Sequence, residues 1–371
     1  MRWVCLVRGG LSGQHCRRGF SAVPSGTAAR LLQHSAMSGE VRGRLGELDA
    51  LRGLAALAVV LFHFTTRYDA VTGHVDPMLM SVPWGHFGVQ FFFGISGFVI
   101  FMTLERTRRP MDFIVSRFSR LFPAYWAAIA VTTAVVWAGP LTELRVPPVT
   151  VMINLTMLQG LFGVRSVDGA YWTLLVELSF YAMMFGLYRM KALSRIEWVL
   201  VGWIGLKWLW WLVPGLPYRV GVVLVQEFIP FFALGICAYR YHAGERTFAA
   251  VAPVATFAIA TVLVIDGASH FAISVMVTAA FGAFAAGRAG WLAWPPLVWL
   301  GGVSYTLYLL HENIGWTVIN ALETRGVNSN VAALLAVVFV LGLAAAVTQA
   351  IERPAMAWIR GRWKHRATGP N

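Results

Sequence analysis

Apolar residues run through this chain in unbroken stretches, not in the alternation of a half-buried strand or the single stripe of a soluble helix. Such stretches lie at 48–66, 84–104, 121–139, 171–188, 196–213, 220–239, 248–265, 271–287, 297–322 and 331–351. A helix rises 1.5 Å per residue, so about 20 residues cross ~30 Å of hydrocarbon. Lipid satisfies no backbone N–H or C=O group, so a span must be a helix or part of a closed barrel, and continuous apolar runs select helices. The stretch 149–162 is apolar but short, bounded by Pro147, Pro148 and Asp168, and is predicted to be re-entrant or interfacial. The pattern predicts an all-α polytopic membrane protein with about ten transmembrane helices.

Composition agrees. Of the 371 residues, 58% are hydrophobic and 13% charged, where a soluble domain carries about a quarter charged. The formal charge of +13 would suggest nucleic acid in a soluble protein, but here the basic residues sit between spans. With the N-terminus in the cytoplasm and 149–162 not spanning, the inner loops and tail hold Arg106, Arg117, Arg120, Arg240, Arg288 and Arg360 among others. The outer loops hold only Arg67, Arg145, Arg165, Arg219 and Arg325. That asymmetry is positive-inside sorting. It predicts cytoplasmic N- and C-termini and no nucleic-acid partner.

Residues 1–38 are rich in Arg, Gly and Ser and contain no acid, and Met37 stands just before the first span. The expectation is a disordered extension, or an upstream start that leaves 1–36 untranslated. A membrane domain is expected over 44–358 and a basic cytoplasmic tail over 359–371. Cys5, Cys16 and Cys237 offer neither a disulfide framework nor metal-ligand spacing, so no metal is expected.

Ionisable groups inside spans cost free energy and mark candidate function. The first span carries Arg52 and His63; eleven residues, close to three turns and ~16 Å, separate them on one face. The second contains Phe92-Phe93-Gly94-Ile95-Ser96-Gly97-Phe98. Arg117 and Arg120, i and i+3, can hold phosphates bidentately at the membrane border. Glu177 lies inside the fourth run, and His311 ends Ser304-Tyr305-Thr306-Leu307-Tyr308-Leu309-Leu310-His311. Lys207 and Glu227 are further intramembrane charges, expected to form a buried pair or an interface contact.

Together these segments resemble the acyltransferase-3 family, integral membrane O-acyltransferases that act on polysaccharides and other hydroxyl acceptors. The matching features are Arg52 and His63 with ten residues between them, Phe-Phe-x-x-Ser-Gly-Phe, Arg-x-x-Arg at 117 and 120, Trp172 through Glu177, Ser-Tyr-x-Leu-Tyr-Leu-x-His, and the closing Glu352-Arg353-Pro354. Gln90 departs from the pattern, since members often carry an acid there. The resemblance implies an acyl-CoA donor, usually acetyl-CoA, entering from the cytoplasm of a bacterium whose inner membrane holds the protein. It implies an acceptor hydroxyl on a sugar of a cell-surface or exported glycan. Arg52, Arg117 and Arg120 would hold the donor phosphates. His63 would act as general base, and Glu177 or His311 would orient the base or the acceptor. Besides lipids and acceptor, no protein partner can be named. The competing reading is a polytopic transporter or lipid flippase, which also needs many spans and buried charges.

Overall fold

The computed structural model describes residues 46–368, so the expectation for 1–38 and the last residues of the tail lie outside the described residues. Among the described residues every regular element is helical. In chain order they are α1 (Gly46–Val71), α2 (Gly88–Arg106), α3 (Pro110–Ala138), α4 (Pro148–Asn154), α5 (Trp172–Arg189), α6 (Ile196–Leu212), α7 (Tyr218–Val223), α8 (Ile229–His242), α9 (Phe248–Asp266), α10 (Ala268–Ala285), α11 (Pro295–Leu310), α12 (Glu312–Glu323), α13 (Ser329–Val347) and α14 (Arg353–Thr368). The chain is an all-α polytopic membrane protein.

Seven segments among the described residues are long and apolar enough to cross a bilayer: Gly46–Val71, Pro83–Arg106, Pro110–Ala138, Gly169–Arg189, Phe248–Asp266, Ala268–Ala285 and Ser329–Arg366. The other three predicted runs differ. Helix α6 stops at 17 residues. The run 220–239 is divided into α7 and α8, and the run 297–322 is interrupted at His311 between α11 and α12. Both breaks fall at polar residues within the runs, Gln226-Glu227 and His311-Glu312-Asn313, which the apolar pattern reads only as polar groups inside a span. Helix α3 begins well before its predicted start because Pro110 occupies its first turn, where a missing N–H costs nothing. Arg117 and Arg120 therefore lie within a helix, not in a loop. Nor is 359–371 a separate tail as far as it is described: α14 runs on to Thr368 and docks on α3. There Arg360 Nε donates to Ser119 Oγ (3.0 Å) and Trp363 Nε1 to Asp112 Oδ1 (2.7 Å).

Helix contacts in lipid gain little from apolar burial and depend on close packing. The most extensive contact joins α2 and α8. A Cβ on Gly235 would overlap the Gly94 carbonyl oxygen, and one on Gly97 would overlap that of Phe232. The Phe-Phe-x-x-Ser-Gly-Phe segment is thus a backbone-to-backbone seam, and Ser96 on it is left to face inward. Gly235→Ala is expected to lower stability by about 1–3 kcal/mol through overpacking. Gly202→Ala, with nothing within 4 Å of the added carbon, should be near neutral. Thermal unfolding in detergent of both variants checks the contrast.

Candidate active site

The centre of the site is built where a helix is opened. In an unbroken helix, Asn313 N–H would bond the carbonyl of Leu309, four residues back. Instead Asn313 N donates to Asp168 Oδ2 (2.9 Å), and the Leu309 carbonyl accepts from Tyr171 OH (3.1 Å). Asp168 is fully buried and also accepts from Ala170 N (3.0 Å). Burial pushes its carboxyl up from the usual range, and the N–H groups of Asn313 and Ala170 oppose this. The opened turn places His311, 0% exposed, against His63.

His63 stands in a widened π-helical turn, Phe62–Arg67, of α1. Side chains take carbonyls of the preceding turn: His63 Nδ1 lies 2.9 Å from Val59 O, and Thr65 Oγ1 donates to Leu61 O (2.7 Å). Trp316 Nε1 donates to the carbonyl of His63 itself (3.0 Å). These partners assign the tautomers. Tyr308 O, 2.8 Å from His311 Nδ1, can only accept, so His311 carries its proton on Nδ1 and offers a lone pair at Nε2. That Nε2 is 3.1 Å from His63 Nδ1, which therefore carries the proton and donates to both Val59 O and His311. His63 Nε2 is left as a free base. It lies 3.4 Å from Glu312 Oε2, with side-chain exposures of 15% and 10%.

Sequence reasoning missed Glu312 and Asp168. A Cβ on Gly169 would overlap the Glu312 carboxylate, so a glycine beside Asp168 makes room for that acid. Donor atoms of His63, His311 and Glu312 all lie within 4.8 Å of one another. Such a set could ligate a metal, but the two imidazoles already bond each other and backbone carbonyls.

The arginines form a second group. Arg52, Arg117, Arg120 and Glu177 line one cavity of about 90 Å³, together with Ser96 and Tyr181. Arg120 pairs with the buried Glu352 of the π turn Thr348–Glu352. Arg52 and Arg117 have no carboxylate within salt-bridge distance among the described residues. Arg117 lies between the rings of Phe113 and Tyr181, 5.9 Å from each centroid, and its buried Nε has no hydrogen-bond partner. Glu177 accepts from Tyr181 OH and from Ser96 Oγ (3.3 Å). It therefore sits with the arginines and makes no contact with His63, one of the two groups that it or His311 was expected to orient. Of the two candidates for orienting the base, only His311 touches it.

His63 lines a separate cavity of about 300 Å³, with His86, Gln90, Trp172, Glu227 and His270 among its walls. Val89 and Tyr308 line both cavities. The arginine group and the base thus face adjoining chambers with a common wall. Lys207 does not pair with the Glu227 carboxylate; it bonds Asp266 Oδ1 (2.9 Å) and the Glu227 backbone carbonyl (2.8 Å).

Opened helices thus bring buried histidines beside a cationic chamber, and the chain belongs to the acyltransferase-3 family, whose model, described as an acyltransferase domain, matches residues 45–352. The chain is 31% identical over 161 residues to nodulation protein 10 of Rhizobium leguminosarum bv. viciae, covering 38% of this chain and 43% of that protein. It is 32% identical over 134 residues to the exopolysaccharide production protein ExoZ of Rhizobium meliloti (strain 1021), covering 34% and 38%. The similarity spans less than half the length of either relative. No solved structure matches the chain.

Asp168→Ala removes the acceptor for a buried N–H, which costs about 1–3 kcal/mol. It is expected to lower the unfolding temperature in detergent and to loosen His311. Protection of the His311 and Asn313 amides in hydrogen exchange is the check.

Proposed function

We propose that this protein is an O-acyltransferase of the bacterial cytoplasmic membrane, moving an acyl group, most simply acetyl, from acyl-CoA to a hydroxyl of a sugar in a cell-surface or exported glycan. It would cross the bilayer about ten times with both ends in the cytoplasm. The observation that carries the reading is the adjoining pair of chambers: Arg52 and Arg117, neither in a salt bridge among the described residues, line one, His63 lines the other, and Val89 and Tyr308 stand between.

CoA has its phosphates at one end of a long arm and its thioester at the other, a division that matches the two chambers. Arg117 and Arg52 would grip phosphate oxygens. The orphaned Nε of Arg117 is a donor that an anionic ligand would satisfy. Arg120, engaged by Glu352, would lend charge to the chamber with part of its guanidinium committed. His63 Nε2 takes the proton of the acceptor hydroxyl as its oxygen forms the new bond to the thioester carbonyl carbon. The C–S bond then breaks, and the imidazolium returns the proton to the departing thiolate. His311 accepts from His63 Nδ1–H throughout and holds the ring in the reactive tautomer. Glu312, beside Nε2, faces the imidazolium when it forms. The names of the two relatives, one concerned with nodulation and one with exopolysaccharide production, support a glycan acceptor.

His63→Ala is expected to lower transfer from labelled acetyl-CoA in membrane vesicles by about 10²–10⁴-fold, the usual weight of a general base. Full activity in the folded variant would remove His63 from the reaction. Arg117→Ala is expected to raise the donor KM by about tenfold or more, the loss of a charge-assisted hydrogen bond, and to leave kcat nearly unchanged. Acetyl-CoA should also raise the unfolding temperature of the purified protein; a transporter or flippase would show no such shift.

A further inference from the structure

The chamber that holds His63 adjoins a third cavity that the reaction above leaves unused. That cavity, about 120 Å³, is lined by Tyr218, Arg219, Gln226 and Glu227 among others. Trp172, Glu227 and Phe228 line both it and the His63 chamber. Three cavities therefore lie in series: arginines, histidine, and then a wall rich in aromatic and hydrogen-bonding groups.

The third cavity is shaped by the break between α7 and α8. Residues 224–228 leave the helix at the polar pair Gln226-Glu227, just before Pro230, inside an otherwise apolar run. Val225, β-branched and buried, takes a φ of +56°, a conformation such residues rarely adopt. Helix α6 holds the break open from one face: Trp203 Nε1 donates to Leu224 O (2.6 Å), and Lys207 Nζ, one turn on, to Glu227 O (2.8 Å). Lys207 is in turn anchored by Asp266. Irregular backbone at membrane depth persists where it is buried in protein or lines a wet cavity. Here it turns Gln226, Glu227 and Phe228 into the passage, and the Glu227 carboxylate takes no hydrogen bond among the described residues.

We propose that this third cavity is the acceptor subsite and takes a pyranose ring, seated on Trp172 and Tyr218 and hydrogen-bonded by Arg219, Gln226 and Glu227, so that one ring hydroxyl reaches His63 Nε2. The assignment rests on the acyl-transfer reading above. A pyranose presents an apolar C–H face and a rim of hydroxyls. Trp172 and Tyr218, 47% and 73% exposed, supply flat apolar surface. Glutamate accepts, arginine donates and glutamine does both, which suits hydroxyls that do both. Trp172 packs against Phe228, with 5.6 Å between ring centroids, so its ring is fixed at the junction of the two cavities.

The test uses the full chain in membrane vesicles with labelled acetyl-CoA, the methyl pyranosides of glucose, galactose and mannose as probes, and glycerol as an acyclic control. At least one pyranoside should be acylated in preference to glycerol. Trp172→Ala and Glu227→Gln should each raise its KM by about tenfold, with the donor KM unchanged within about twofold. Trp172→Phe, which keeps a ring, should recover most of the loss. Tyr218→Ala, at an exposed position, tests the same wall without disturbing the fold. If none of the pyranosides is preferred to glycerol, or if the acceptor KM is unmoved in all these variants, the subsite is wrong and the aromatic residues are interfacial anchors. That failure is distinct from failure of the acyl-transfer reading, in which release of CoA would not depend on His63.

Discussion

One backbone rung, taken apart and satisfied from outside, governs the centre of this molecule. Within a bilayer an unpaired N–H or C=O finds no water, so a helix opens only where other groups stand in for the lost bond. Asp168 receives the N–H of Asn313, and Tyr171 donates to the carbonyl of Leu309. Both belong to the single turn that leads into α5. That turn therefore decides where α11 ends, where His311 points and which nitrogen of His63 is free. Losing either stand-in would leave a buried polar group unmatched and would favour reclosing the helix over the site.

The same economy recurs at the other irregular places. The π turn at Phe62–Arg67 carries His63, and that at Thr348–Glu352 ends on the acid that holds Arg120. Single π turns are costly insertions that gather at functional positions. The break after α7 has its carbonyls received by Trp203 and Lys207. Intramembrane charges divide accordingly. Lys207 and Asp266 are spent on each other and on the opened backbone, and Glu352 on Arg120, whereas Arg52, Arg117 and His63 line cavities.

Much of this was legible in the sequence, for physical reasons. Continuous apolar runs mark spans because lipid tolerates little else, and a charge inside such a run stands out by its cost. Arg52, His63, Glu177 and His311 were visible in that way, Arg117 and Arg120 as a pair at the membrane border, and the spacing of Arg52 and His63 put them on one helix at separate depths. The breaks were not legible. The stretch 220–239 carries Gln226 and Glu227 in the loop, but a polar pair inside an apolar run reads the same way in an intact helix, and the opening depends on Trp203 and Lys207 from another helix. Glu312 follows His311 directly and could not be distinguished from a capping or interfacial acid, since its meeting with His63 is made by the opened turn. Glu177 stood out as a charge inside a span, but its neighbours could not be read. Sequence order does not say which end of α5 faces the arginines; Ser96, freed by the glycine seam of α2 and α8, and Tyr181 hold the carboxylate there.

The common wall of Val89 and Tyr308 has a consequence for the cell as a whole. A conduit that let a thioester arm through a bilayer would, if left wide, also conduct protons and ions and dissipate the gradient across it. Tyr308 is pinned by its hydroxyl to Thr173 Oγ1 (3.0 Å) and Ala170 O (3.3 Å), and Phe92 meets its ring edge-on. The partition is thus a narrow aromatic wall whose tyrosine is held by two hydrogen bonds. A wall held this way leaves little room for water between the two cavities, so on the acyl-transfer reading a slender acyl arm could cross it without opening a wide path for ions.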